Sequence, residues 1–180
     1  VKDCLVNLIA KIGEKITIRR AKFFDNLHGF NFFYVHSAVE KNIGKIISVV
    51  KLKGIVKGKN EDLGSKVSMH IAASNPQALN NEDLDPSIIE REKSVLTEQA
   101  RESGKPEQVI DKMIEGRMKK FFSEVTLLGQ DFVVDPDLTV QAASEKAGVQ
   151  IVSYISMAVG EGIEKKEEDF AAEVAKAAKS

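Results

Sequence analysis

The sequence predicts an α+β fold: an antiparallel sheet covered by helices, with a projecting antiparallel helical hairpin of coiled-coil type and a C-terminal helix. Three observations lead there. Residues 32–38 and 45–53 are rich in aromatic and β-branched side chains on either side of a polar turn holding Asn42 and Gly44, the pattern of a β-hairpin. Residues 60–74 carry Leu63, Val67, His70 and Ile71 on one helical face, and a helix laid across the hairpin buries both apolar faces. Farther on, Asp85-Pro86 and Ser103-Gly104-Lys105-Pro106 punctuate two charged, helix-forming segments.

Residues 1–11 place Leu5, Leu8 and Ile9 at the spacing of the last turns of an amphipathic helix. Because the chain opens on Val1, it reads as cut or processed part way through a larger protein. Ile12-Gly13 breaks that helix, and residues 15–24 then alternate, Ile16 and Ile18 against Thr17 and Arg19, which predicts a strand. After the hairpin, Asn60 offers an N-cap, Glu61 and Asp62 suit a first helical turn, and Pro76 closes the helix. In the second charged helix Ile110, Ile114, Met118, Phe121 and Val125 form a stripe, and Ile88, Val95 and Leu96 give the first a thinner one. Two helices joined by a tight Gly-Pro turn run antiparallel, and the thin seam implies that the pair projects from the body. Its exposed face suits pairing with another molecule, which points to a homodimer through the hairpin. Residues 127–134 return to the body, Thr139 caps a short helix to about Lys146, and Gly148 ends it. Val149, Ile151, Ile155, Met157 and Val159 predict a strand that joins the hairpin; Gly160 and Gly162 break it. A last helix is expected over residues 165–179, with Phe170 and Val174 on one face.

The chain has 180 residues, 43% hydrophobic, enough to bury a core without disulfides or a structural metal. Cys4 is the only cysteine, which excludes an internal disulfide framework and a cysteine-built zinc site and suits a reducing, cytoplasmic home. No apolar run approaches a membrane span and no signal-peptide layout opens the chain. Net charge is -1, yet residues 1–60 hold 12 Lys and Arg against 4 Asp and Glu, a net of +8, and the remainder compensates. A basic third marks either a surface for nucleic acid or an acidic partner, or simply a solvated sheet face. The aromatic and glycine pattern of RNA-reading modules does not accompany the lysines, so nucleic acid is not the expected partner.

The search for chemistry is empty. His28, His36 and His70 share no metal spacing with one another or with Cys4, and neither a phosphate loop nor a dinucleotide fingerprint occurs. Glu90, Glu92 and Glu98 lie on a solvated helix face. His70 falls on an apolar stripe, where a satisfied core histidine is the expectation; His36 alternates with Tyr34 and Ala38 on one strand face, open to a partner contact or to none. No metal, no cofactor and no catalytic residue are expected.

Several runs, taken together and in order, resemble one family. They are Lys11-Ile12-Gly13-Glu14-Lys15-Ile16-Thr17-Ile18-Arg19-Arg20, similar to an Ile-Gly-Glu-Asn-Ile element, then Met69-His70-Ile71-Ala72-Ala73-Ser74-Asn75-Pro76, Ser103-Gly104-Lys105-Pro106, and Glu115-Gly116-Arg117-Met118-Lys119-Lys120-Phe121. Gln130-Asp131-Phe132-Val133 and Val159-Gly160-Glu161-Gly162-Ile163-Glu164 complete the set. The family is bacterial translation elongation factor Ts.

The resemblance implies a guanine nucleotide exchange factor that binds elongation factor Tu and speeds GDP release without covalent chemistry, hence not an enzyme in the bond-making sense. It implies Ile12 and Gly13 as contacts with the GTPase domain and His36 as an interface residue, although Ser37-Ala38 depart from the glycine usual after that histidine. It also implies a division: residues 1–28 as the end of a core N-terminal subdomain, 29–76 and 128–162 as a core C-terminal subdomain, 77–127 as an inserted helical hairpin of dimerisation type, and 163–180 as a C-terminal helical module. The family's Thr-Asp-Phe-Val element, whose Asp and Phe reach towards the nucleotide site, does not occur in this sequence, nor does the small three-helix domain that opens family members. The expectation is therefore a fragment that binds Tu and exchanges poorly. The alternatives are a basic RNA- or ribosome-binding module and a structural dimeriser.

Overall fold

In the computed structural model, which describes residues 1–163 except Ser103 and Lys105, the two β-branched runs form β1 (Phe30–Glu40) and β2 (Ile43–Lys53), paired antiparallel. Asn42 turns the hairpin at φ 62, in the left-handed region that asparagine tolerates. Gly44 belongs to β2, opposite Ala38, so the turn is tighter than the sequence suggests. β5 (Gln150–Ala158) pairs antiparallel with the other edge of β2, giving the order β1-β2-β5. The late strand therefore joins the hairpin as expected.

Register sorts the side chains into two faces. Phe32, Val50 and Tyr154 align in one row, with Phe30 opposite Leu52 and Tyr34 opposite Ser48. This face meets α2 (Asp62–Ser74), where Val50 and Leu52 pack with Leu63, Val67 and Ile71. Leu127, Phe132, Val140, Val149 and Ile151 close the same core from the second half of the chain. The opposite face aligns Phe33, Val49 and Ile155, then Val35, Ile47 and Met157, and none of these six is fully buried.

α2 ends where the sequence places its end: Asn75 takes φ 44, its N–H bonds the Ile71 carbonyl at 3.0 Å, and Pro76 cannot continue the helix. Its start differs, because Asn60 does not cap it. The Asn60 side chain instead binds the loop before the helix and the Ala147 carbonyl, and Glu61 occupies the cap position without a side-chain bond.

α3 (Pro86–Glu102) and α4 (Glu107–Val125) form the antiparallel hairpin and pack chiefly on each other. Asp85 Oδ1 accepts from the Ser87 N–H at 2.9 Å, Gly104 turns the chain at φ 65, and only Leu96, Ala100 and Met118 are buried along the seam. At its base Gln77 N–H donates to Val125 O and Leu127 N–H to Ala78 O, both at 2.8 Å. β3 (Asp131–Phe132) and β4 (Asp135–Thr139) make a short hairpin. Thr139 then caps α5 (Val140–Lys146), its Oγ1 accepting from the Ala142 N–H at 3.1 Å.

α1 (Lys2–Ile12) buries no residue, and residues 13–29 contain no strand. The alternation of Ile16 and Ile18 is real, but a strand exists only where a neighbour completes its ladder; β1 pairs with β2 alone, and the segment is tied down by side chains instead. The helix expected over 165–179 lies outside the described residues. Among the described residues no helix is long and apolar enough to cross a membrane.

Candidate functional site

The residues singled out by resemblance lie on two elements. Ile12 is the last residue of α1 and is 53% exposed; Gly13 caps the helix at φ 79, donating its N–H to Ile9 O at 2.8 Å. A Cβ built on Gly13 would meet nothing within 4 Å, so glycine is required there for its left-handed backbone and not for a close approach. An apolar residue on an open, sharply terminated helix end can be reached by another protein.

Beyond Gly13 the chain runs beside the sheet. Lys15–Arg20 share a hollow with Gly44, Lys45 and Ile47 of β2 and with Met157–Gly160 at the end of β5. Arg19 donates to the Glu161 carbonyl and Arg20 to the Glu161 carboxylate, which also accepts from the Ala158 N–H. The Arg20 bond, with that of Ala158, holds the Glu161 carboxyl below the usual carboxylate range. Farther along, Lys51 of β2 bonds Asp25 and lowers its carboxyl in the same way, and Asn31 Nδ2 donates to Asp25 O at 2.8 Å. Nothing in the local sequence announces these pairings, since 141 residues separate Arg20 from Glu161. The segment thus stitched leaves Phe23 84% and Leu27 66% exposed. Exposed aromatic and aliphatic side chains on a tethered backbone suit protein recognition.

His36 sits exposed on β1, with its Nδ1 3.3 Å from the Tyr34 hydroxyl. Tyr34 and His36 point to the same side, as the alternation predicts, and their rings lie 6.1 Å apart. The next residue, Ser37, has φ 50. A non-glycine residue there costs about 1 kcal/mol, so Ser37→Gly is expected to raise the thermal midpoint by a few degrees while leaving the circular dichroism spectrum unchanged; an unaltered or lower midpoint would show that the backbone is not strained. Gly44 faces the same stretch across the ladder, and a Cβ on it would lie 2.7 Å from the His36 carbonyl oxygen and 2.5 Å from Val35 Cγ1.

No described hydrogen bond or ring contact joins His36 to Ile12 or Gly13. What connects them is the intervening segment, which carries the chain from α1 to the strand stretch opposite His36. His70, by contrast, is a core histidine with both ring nitrogens paired. Among the described residues no group of three or more His, Cys, Asp or Glu is arranged to hold a metal ion. Exposed side chains thus lie on an open helix end, on a tethered loop and on a strand.

The family model described as Elongation factor TS matches residues 1–161 of the chain. Elongation factor Ts of Paracoccus denitrificans (strain Pd 1222) is 59% identical over 177 residues, covering 98% of this chain and 58% of that protein. Those of Dinoroseobacter shibae (strain DSM 16493 / NCIMB 14021 / DFL 12) and Ruegeria sp. (strain TM1040) are each 55% identical, covering 98% and 99% of this chain and 58% and 59% of theirs. The chain thus spans less than two thirds of the length of the curated relatives it matches.

Proposed function

The chain belongs to the elongation factor Ts family, and from that membership we propose that it acts in translation elongation by binding elongation factor Tu and promoting GDP release. The observation that carries this reading is the match of the family model to residues 1–161; Ile12, Gly13 and His36 are each exposed and so open to a partner. Such a factor works by differential affinity: it binds nucleotide-free Tu better than the GDP form and so weakens GDP by linkage. It makes and breaks no covalent bond, and its place of action is the cytoplasm.

Within that reading, residues 1–28 end an N-terminal core subdomain, residues 29–76 with 128–162 form the C-terminal one, 77–127 are the hairpin insertion and 163–180 a C-terminal module. Ile12 and Gly13 press on the GTPase domain and His36 lies at the interface. The Thr-Asp-Phe-Val element of the family is not in this sequence, so the 180-residue chain binds Tu but accelerates GDP release weakly. Calorimetric titration into nucleotide-free and GDP-bound Tu tests the first half, and stopped-flow GDP release tests the second. Tighter binding to the nucleotide-free form is expected; no binding to either sinks the reading, and full acceleration sinks only the claim of weak exchange. His36→Ala is expected to weaken binding about tenfold, roughly 1.4 kcal/mol, the loss of one contributing interface residue.

The hairpin supports a further element of the reading, a homodimer. Ile88, Val95 and Val109 remain exposed along it, and light scattering of the chain with Val95 and Val109 changed to serine would report whether association depends on that face.

A further inference from the structure

One buried polar group outside these surfaces joins three parts of the fold. His70 of α2 is 1% exposed, and its Nε2 lies 2.9 Å from Gln130 Oε1. Its Nδ1 accepts from the backbone N–H of Val133, in the β3–β4 turn, at 3.3 Å. Gln130 passes the connection on, its Nε2 donating to the Glu124 carbonyl in the last turn of α4 at 2.8 Å. These bonds fix one another. An N–H can only donate, so Nδ1 is bare and Nε2 carries the proton; Gln130 must then accept with its oxygen and donate with its nitrogen, as it does.

The α3–α4 hairpin meets the body at its base, where residues 77–79 and 125–128 bond each other. Those bonds hold the two crossing segments together, while Leu127 joins Ile71 in the core and the Tyr154 hydroxyl donates to Pro76 O at 2.8 Å. The relay from His70 through Gln130 to Glu124 adds side-chain hydrogen bonds that run from α2 to the last turn of α4.

We propose that His70 and Gln130 form the joint that holds the helical hairpin at one angle to the sheet body, and that protonation of His70 releases it. Imidazolium carries a proton on Nδ1, which would set two donors face to face at Val133. Nothing nearby compensates the charge. On α2, Lys66 is half-exposed and paired with Asp62; on α4, Glu124 points its carboxylate outward, 3.6 Å from Lys120; on the β3–β4 hairpin Asp131, Asp135 and Asp137 are exposed; and the groups against the ring are Gln130, Phe132 and Val133. Burial accordingly holds the His70 pKa below 6.5, with the Gln130 bond opposing in part. Since the folded value is the depressed one, the neutral joint contributes its full stabilisation above the unfolded pKa and loses it as pH falls from there through the folded value. Leverage makes the release measurable: with 1.5 Å per residue, a tilt of about 10° at Pro86 moves Glu98 by about 3 Å. The inference does not depend on the identity of the partner.

The test is a distance measurement on the full chain, with Cys4→Ser and spin labels on cysteines at Lys53 and Glu98. At pH 7.5 a single narrow distance is expected. It should shift or broaden in Gln130→Met, and in the otherwise unchanged chain on lowering the pH to 5, with circular dichroism unaltered. In His70→Gln the pH response should vanish, which separates His70 from the exposed His28 and His36. An unmoved peak in a folded Gln130→Met, or an equal pH response in His70→Gln, overturns the proposal. Should Gln130→Met fail to fold, the pH series with and without His70 decides alone.

Discussion

Gly64→Ala is expected to destabilise the chain by about 2 kcal/mol, as an overpacked core does, although it replaces a glycine inside a helix. Propensity alone argues the other way, since alanine in mid-helix gains up to about 1 kcal/mol over glycine. Packing decides the sign. A Cβ on Gly64 would lie 2.2 Å from Phe32 Cγ and 2.3 and 2.5 Å from the two Cδ atoms. These are ring atoms near the root of the side chain, so no rotation of a flexible end relieves the overlap. Phe32 is held in turn by its place in β1, opposite Val50, and by packing against the core. Either α2 lifts from the sheet or β1 bends. Urea unfolding gives the loss directly, and a double-mutant cycle with Phe32→Leu should return a coupling of roughly 1 to 3 kcal/mol, as residues in direct contact show. A stabilised Gly64→Ala would mean that the helix stands farther from the sheet than described.

The pairing of α2 with the sheet was legible in advance because both partners carry their own periodicity. Val50 and Leu52 alternate with Val49 and Lys51, and Leu63, Val67 and Ile71 recur at helical spacing. The hairpin was legible from punctuation, Asp85-Pro86 at one end and Gly104 with Pro106 at the turn. Residues 15–24 show the limit of the method: alternation states which faces a strand would have, while the ladder that makes it a strand depends on a neighbour that local pattern does not specify. The β3–β4 hairpin carries no strand signal of its own, because its second strand opens on Asp135-Pro136, residues that favour turns. For the surface, periodicity predicted that His36 and Tyr34 share a face, but only resemblance to a family drew attention to Ile12 and Gly13. The bonds from His70 to Gln130, 60 residues away, and from Arg20 to Glu161 follow from the fold and have no local signature.

Asn60 offers the sharpest contrast between a local reading and the folded result, and its replacements carry large expected effects. As an N-cap it would donate nothing, and aspartate would serve equally well. In the structure it is 7% exposed and uses both ends of its amide: Oδ1 accepts from the Val56 N–H at 2.7 Å, while Nδ2 donates to Gly54 O at 3.2 Å and to Ala147 O at 3.0 Å. It therefore ties the β2–α2 loop to the end of α5, where the chains approach so closely that a Cβ on Gly54 would lie 2.6 Å from Gly148 O. Asn60→Ala removes three hydrogen bonds to part-buried backbone groups and is expected to cost about 2 to 4 kcal/mol, each net bond being worth roughly 0.5 to 1.5. Asn60→Asp keeps the shape and the acceptor but turns an oxygen towards two carbonyl oxygens. At pH 7 it should be no more stable than the alanine chain. Its protonated form can donate to one of those carbonyls, so the folded pKa of the new carboxyl lies above the unfolded value of about 3.9. The deficit of Asn60→Asp should then shrink relative to Asn60→Ala as pH falls through that raised value. Urea midpoints of both chains at pH 7 and pH 5 measure this, and an Asn60→Asp chain as stable as the parent at pH 7 would restore the cap and remove the tie.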